Sequence, residues 1–286
     1  MGAALALAAP AHPAAEPVGL AITDREFAQF QSFIFEAAGI TLSDAKKALV
    51  TGRLAKRVKH FALDSYGEYF RLITSGQDPN ELQTAINLLT TNETYFFREP
   101  QHFEFMKAEL AKDVQYAKPL RVWSAAASTG EEPYSIAMLL EDRLGSAGRP
   151  WEIVASDIST RVLQRAATGH YSDTRIDGIP LNYLKKYCLK GTGPQAGTIL
   201  VDRKLRQRVE FRQINLNSAL PQLGTFDYIF LRNVLLYFNM HTKRQVVARV
   251  LTMLKPGGWL FVSHTETLHD ISDAVESVRP ATYRKR

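Results

Sequence analysis

One cysteine in 286 residues, Cys188, leaves no partner for an internal disulfide. That excludes a disulfide-stapled scaffold and fits a reducing compartment. No apolar run approaches the ~20 residues a membrane-spanning helix needs, so the chain reads as cytoplasmic. The seven histidines are scattered, with neither an HExxH pair nor a Cys/His cluster, and no metal site is expected. The GxGxxG loop of dinucleotide-binding folds is missing too. What remains is ordinary for a globular protein, 45% hydrophobic and 22% charged, with a formal net charge of +6. The length holds one large domain or two smaller ones.

The N-terminal stretch "MGAALALAAPAHPAAEPVG" has an apolar patch but no positive region before it, since the first basic residue is Arg25. Its alanines and prolines make residues 1–19 a disordered tail. From residue 20 to about 90 the pattern is helical. Thr23 with Glu26, Ser65 with Glu68, and Asp78-Pro79 with Glu81 are helix-start signals, and Gly39 is a stop. Between them, Val50, Leu54 and Val58 form an apolar stripe, while Arg53, Lys56 and Arg57 share another face. Residues 91–115 form a junction helix and linker.

From residue 116 the texture changes. "LRVWSA", "WEIVASD", "RVEFRQIN", "FDYIFLRN" and "GWLFVSHTE" are short runs rich in Val, Ile, Phe and Trp, mostly separated by helical patterns. They predict an α/β domain with a doubly wound sheet. About residues 176–208, with "GTGPQAG" as turn chemistry, predict a small antiparallel β-subdomain inserted between the second and third strands.

Ligands of such sheets bind beyond the carboxyl ends of the strands. The first strand runs into "SAAASTGEEPYSIA", a small-residue loop opening a helix. That is a phosphate cradle in other folds, yet here it delivers Glu131 and Glu132. A pyrophosphate would meet a carboxylate within ~5 Å, at a cost of several kcal/mol. A phosphate-free, cationic nucleoside suits the place, and S-adenosylmethionine is one. Equally, both glutamates complement the helix dipole. Asp157 ends the second strand, where an acid accepts hydrogen bonds from ribose hydroxyls; as a helix N-cap it has a second reading. "LLTTNETYFFREPQHF" brings Asn92, Thr94, Arg98 and three aromatics, Tyr95 to Phe97, to the domain junction. The rings suit a sulfonium through cation–π attraction or simply fill a core.

"LLTTNETYFFRE", "SAAASTGEEPYSIA", "ASDIS", "GTGPQAG" and "RNVLLYF" closely resemble the chemotaxis receptor glutamate methyltransferases, the CheR family, over about residues 20–268. The resemblance implies an all-helical N-terminal domain before a class I (Rossmann-like) methyltransferase domain carrying the β-subdomain. It implies S-adenosylmethionine as donor and glutamate side chains of methyl-accepting receptors as acceptors. Carried over by motif, Asn92, Thr94, Arg98, Glu131, Asp157, Asn215, Leu216, Arg232 and Asn233 would line the cofactor site. Arg98 would orient the acceptor, with Tyr237 beside it or in the core. The basic face at Arg53, Lys56 and Arg57 would dock glutamate-rich receptor helices, recruiting the enzyme to membrane receptor arrays. The alternatives there are a solvated face or nucleic acid, the latter disfavoured without interleaved aromatics. Some family members grip a receptor's C-terminal peptide on the β-subdomain edge. A scaffold that holds the cofactor without turnover is the rival function.

Overall fold

The computed structural model describes residues 20–112 and 118–286; the expected N-terminal tail lies outside the described residues. Four helices come first: α1 (Asp24–Ala38), α2 (Lys47–His60), α3 (Tyr66–Thr74) and α4 (Pro79–Leu89). Each start signal works as read. Thr23 and Glu26 close a reciprocal capping box, Ser65 accepts from the Glu68 N–H, and Asp78 accepts from the N–H groups of Asn80 and Glu81. Their apolar faces converge on Phe30, Ile34, Val50, Leu54, Tyr69 and Ala85, all fully buried. Each large side chain so buried contributes about 1.5–3 kcal/mol.

An extended strap, residues 90–99, then leads into α5 (Pro100–Lys112). The α/β domain follows as β1 (Leu120–Ser124), α6 (Glu131–Leu144), β2 (Trp151–Asp157) and α7 (Thr160–Thr168). Next come β3 (His170–Ser172), α8 (Leu181–Tyr187), β4 (Cys188–Lys190), β5 (Thr198–Val201), α9 (Arg203–Arg206) and β6 (Val209–Gln213). The chain closes with β7 (Phe226–Phe230), α10 (Met240–Thr252), β8 (Leu254–Phe261), β9 (Val275–Arg279) and β10 (Thr282–Lys285).

Seven strands form one sheet in the order β6-β2-β1-β7-β8-β10-β9. The pairs from β6 to β8 are parallel, and β10 is antiparallel to both β8 and β9. This is the class I methyltransferase sheet. The strand order reverses beside β1, so the ends of β1, β2 and β7 open onto a common crevice. The small sheet, β3-β5-β4, is antiparallel as expected. Its first strand, at His170, precedes the expected boundary at residue 176, because a strand that short carries no alternation to read. Within β8 the pairing with β7 is interrupted: Leu254 pairs with Phe226, and Lys255–Gly258 bulges out before pairing resumes at Trp259.

Several contacts tie the helical domain to the sheet domain, those of the α1 terminus among them. Gly39 caps α1 at φ +73°, and a Cβ there would lie 2.8 Å from the Thr242 methyl and 3.0 Å from Asn217. Just beyond it, Ile40 bridges Phe238 and the Thr41 N–H donates to the Tyr237 carbonyl at 2.8 Å. The α1 terminus thus becomes a wall of the crevice.

Candidate functional site

The crevice is a cleft between the strand ends and the helical domain. Its apolar lining comes from Ala38, Ile40, Ile158, Ile214, Leu216 and Phe238. Its polar lining includes Arg98, Glu132, Arg232, Asn233 and Tyr237, with Asn92, Thr94 and Asp157.

Asp157 stands at the end of β2, 8% exposed, and receives the Ser128 N–H and the Ser159 N–H, each at 2.9 Å. Burial raises its carboxyl pKa, opposed by these backbone donors. Asp157 is not the N-cap of α7, a place that Ser159 takes; it anchors the loop after β1 and the turn into α7, and it lines the cleft.

The two glutamates part company. Adjacent helical residues point about 100° apart, so only one faces the cleft. Glu131 has no exposure; its carboxylate accepts from the Thr129 hydroxyl at 2.6 Å and pairs with Arg175 at 2.7 Å. Arg175 also donates to the Thr94 carbonyl, so Glu131 fastens the strap from behind. Glu131 does not line the cleft, contrary to its expected contact with the cofactor. Glu132 does, accepting from the Ser124 hydroxyl at 2.7 Å and pairing with Arg232 at 3.0 Å. Burial pushes the Glu132 carboxyl up, and Arg232 pulls it back. Arg232 is 4% exposed and continues the chain to Glu99 at 3.2 Å and to the Arg98 carbonyl. Glu132 was legible from its neighbour's motif, but helix phase alone does not say which carboxylate turns inward.

Arg98 keeps its guanidinium on the cleft, with one donor on the Glu93 carbonyl at 3.0 Å and its charge 5.5 Å from the Tyr95 ring centroid. Tyr237 is half-buried with its hydroxyl bonded to Thr91, and burial raises its phenol pKa. Asn233 sits at φ +56°, its N–H held by Glu266 at 3.1 Å. Asn215 lines the cleft while its amide reaches across to the Ala37 carbonyl at 2.7 Å, so it also clasps the two domains.

The aromatic triplet does not line the cleft. Phe96 and Phe97 are core, and Tyr95 is exposed on the surface. The rings that do line it are Tyr237, Phe238 and Phe103, the last one turn into α5 with the Arg232 guanidinium 6.0 Å from its centroid. The basic face is also smaller than expected. Arg53 donates to the carbonyls of Leu89 and Thr90 and to Thr91, and Arg57 pairs with buried Glu81, which also accepts from Tyr69. Of the three, only Lys56 is fully on the surface, joined there by Lys46 and Lys59.

The profile "CheR methyltransferase, SAM binding domain" matches residues 92–284, and "CheR methyltransferase, all-alpha domain" matches residues 25–90. The chain is 43% identical over 262 residues to the chemotaxis protein methyltransferase 2 of Pseudomonas aeruginosa, covering 91% of this chain and 93% of that one. It is 42% identical over 248 residues to the chemotaxis protein methyltransferase of Escherichia coli strain K12, covering 86% of each. The Salmonella typhimurium protein of the same name is 42% identical over 253 residues, covering 88% and 87%. No helix among the described residues is long and apolar enough to cross a membrane.

Proposed function

Because the chain belongs to the CheR methyltransferase family and carries its S-adenosylmethionine-binding domain, we propose that it methylates glutamate side chains of methyl-accepting chemotaxis receptors. The observation that carries this reading is the cleft's division of labour. One cleft combines apolar side chains that can flank a base, the strand-end carboxylate of Asp157, a second carboxylate on Glu132 and the guanidinium of Arg98. The slot between Ala38, Ile40, Ile158 and Leu216 takes the adenine, and Asp157 takes the ribose. Glu132, held by Ser124 and Arg232, faces the cationic methionine end. No phosphate group would be tolerated against that carboxylate.

S-adenosylmethionine supplies an electrophilic methyl group. A glutamate carboxylate is already ionised near pH 7 and needs no general base. The protein's work is then alignment and exclusion of water. Arg98 has donors free of its single Glu93 contact, and it orients the incoming carboxylate by charge-assisted hydrogen bonds. Tyr237, held by Thr91, offers a second polar contact at the same mouth. Lys46, Lys56 and Lys59 leave a basic face for glutamate-rich helices, now without Arg53 and Arg57 in that role. In the small sheet, β4 is an edge strand with Leu189 exposed, which supports addition of a receptor peptide as a further strand. A titration with a receptor C-terminal peptide tests that contact separately, and β4 variants that bind as well as wild type would refute it.

The decisive experiment uses methyl-labelled S-adenosylmethionine and a receptor cytoplasmic fragment. Label released by mild alkali as volatile methanol identifies a carboxyl methyl ester. Alkali-stable label places the methyl on nitrogen or sulfur and rejects the proposed acceptor. No transfer to several receptor fragments, with the cofactor bound tightly, supports a non-catalytic scaffold instead.

A further inference from the structure

Beside the Glu132–Arg232 pair of the cleft lies a group that the methyl-transfer reading does not use. Glu99 ends the strap just before α5, His102 stands in the first turn of α5, and His264 follows β8. The Glu99 Oε2 atom lies 3.5 Å from His102 Nδ1 and 3.6 Å from His264 Nε2. All three ligand atoms fall within 4.8 Å of one another. His102 is 1% exposed, packed against Phe261 and stacked on His264 with centroids 5.3 Å apart and planes 13° apart. Neither of its ring nitrogens has a hydrogen-bond partner. Leaving such nitrogens unsatisfied inside a protein costs about 1–3 kcal/mol, so the arrangement calls for a ligand.

The spacings point to a metal ion. Tetrahedral zinc with bonds of about 2.0–2.1 Å to nitrogen and oxygen separates its ligands by about 3.3–3.4 Å. Two of the three separations are already within a few tenths of an ångström of that value, and the third requires His264, which is about one-third exposed, to turn its Nε2 away from the Gln101 amide that now bonds it. Two imidazoles and one carboxylate suit a late first-row divalent ion.

We propose that Glu99, His102 and His264 bind one divalent transition-metal ion, zinc by preference, with the remaining position open on the His264 side. Glu99 and His102 are only three residues apart, but His264 comes from the far side of the sheet domain's sequence, so no local spacing announces the full set. The same Glu99 oxygen pairs with Arg232 at 3.2 Å, and Arg232 in turn holds Glu132. Ligation draws Glu99 away and leaves Arg232 to Glu132 alone, so the metal antagonises the cofactor. This second step rests on the proposed place of Glu132 in the cofactor site, whereas metal binding does not.

The test is a titration of the tag-free full chain with Co²⁺, read in the visible region, followed by displacement with Zn²⁺. The expected result is a tetrahedral d–d band saturating at one equivalent and absent from His264→Ala and Glu99→Gln, both with wild-type circular dichroism. No band, a band unchanged in His264→Ala, or a near-ultraviolet thiolate band from Cys188 overturns the site. Calorimetry with S-adenosylmethionine reads the second step. Saturating Zn²⁺ weakens binding on the order of tenfold in the wild type and leaves His264→Ala unchanged. Equal cofactor affinity with and without bound Zn²⁺ overturns the antagonism while the cobalt band keeps the site.

Discussion

Exchanging each of the paired glutamates for glutamine separates their roles. Glu132→Gln keeps an acceptor for the Ser124 hydroxyl but removes the charge that faces the cleft. A unit charge ~5 Å from a carboxylate, at an effective dielectric near 20, gains ~3 kcal/mol. Affinity for S-adenosylmethionine should therefore fall by about a hundredfold. Glu131→Gln removes a carboxylate that touches only Thr129 and Arg175. It should leave cofactor affinity within about threefold. It should instead lower stability by about 1–2 kcal/mol, since Arg175 is one-third exposed and the pair is partly screened. Isothermal titration calorimetry with S-adenosylmethionine and with S-adenosylhomocysteine, beside a thermal melt, reads both effects. Because the product lacks the sulfonium charge, Glu132→Gln should penalise it less than the donor. Loss of cofactor binding in Glu131→Gln with normal binding in Glu132→Gln would refute the geometric reasoning outright.

Arg98→Ala removes the group that aligns the acceptor carboxylate and should reduce kcat on the order of a hundredfold or more, while leaving cofactor affinity and the melting temperature near wild type; an unimpaired rate removes Arg98 from the mechanism. Arg57→Ala strips the partner from Glu81, which is 3% exposed, and should cost about 3–5 kcal/mol in chemical denaturation. Lys56→Glu should instead slow receptor methylation with stability unchanged within ~0.5 kcal/mol, and the reverse pattern would return Arg57 to the docking face. Burial pushes the Cys188 thiol up to about 12, so alkylation at pH 8 should run on the order of a thousandfold slower than for a free thiol. The sign for stability follows: the unfolded thiol ionises near pH 9 while the folded one stays protonated to about 12, so this contribution is complete below pH 9 and is lost as pH rises through that window. Fast alkylation of the native protein near pH 8 would contradict the burial.

Much of this was readable before any coordinates. The capping signals at Thr23, Ser65 and Asp78 were sound because a cap is local chemistry: side chain and N–H lie within three residues of each other. The sheet strands were legible because burial on both faces makes them continuous apolar runs. What failed was direction. "GEEP" gives two carboxylates and no way to tell which one α6 turns inward. "TYFF" gives three rings, and the positive φ of Phe97 and Glu99 re-aims the strap so that Phe96 and Phe97 enter the core. Arg53 and Arg57 look like a free basic stripe because their partners, the Leu89 and Thr90 carbonyls and Glu81, come from a helix some thirty residues on. Long-range partners leave no trace in a short window.

The charges of the cleft explain why so acidic an entrance serves a methyl donor. On the proposed reading, the donor arrives carrying a sulfonium and the acceptor arrives as a carboxylate, and transfer abolishes both charges at once. Glu132 therefore stabilises the donor more than the spent product, and Arg98 stabilises the free acceptor more than its ester. Each contact weakens at the moment of reaction, which favours release of both products. The cost is that Glu132 and Arg98 also stabilise the ground state, so they cannot by themselves lower the barrier. Acceleration must come from alignment and from a dry cleft, and that assigns a catalytic purpose to the α1 terminus. By bridging Ile40 to Phe238 and donating the Thr41 N–H to the Tyr237 carbonyl, it walls the crevice from the apolar side that takes the base round to Tyr237. The helical domain is then part of the active site, and changes at Ile40 or Thr41 should lower kcat as well as cofactor affinity.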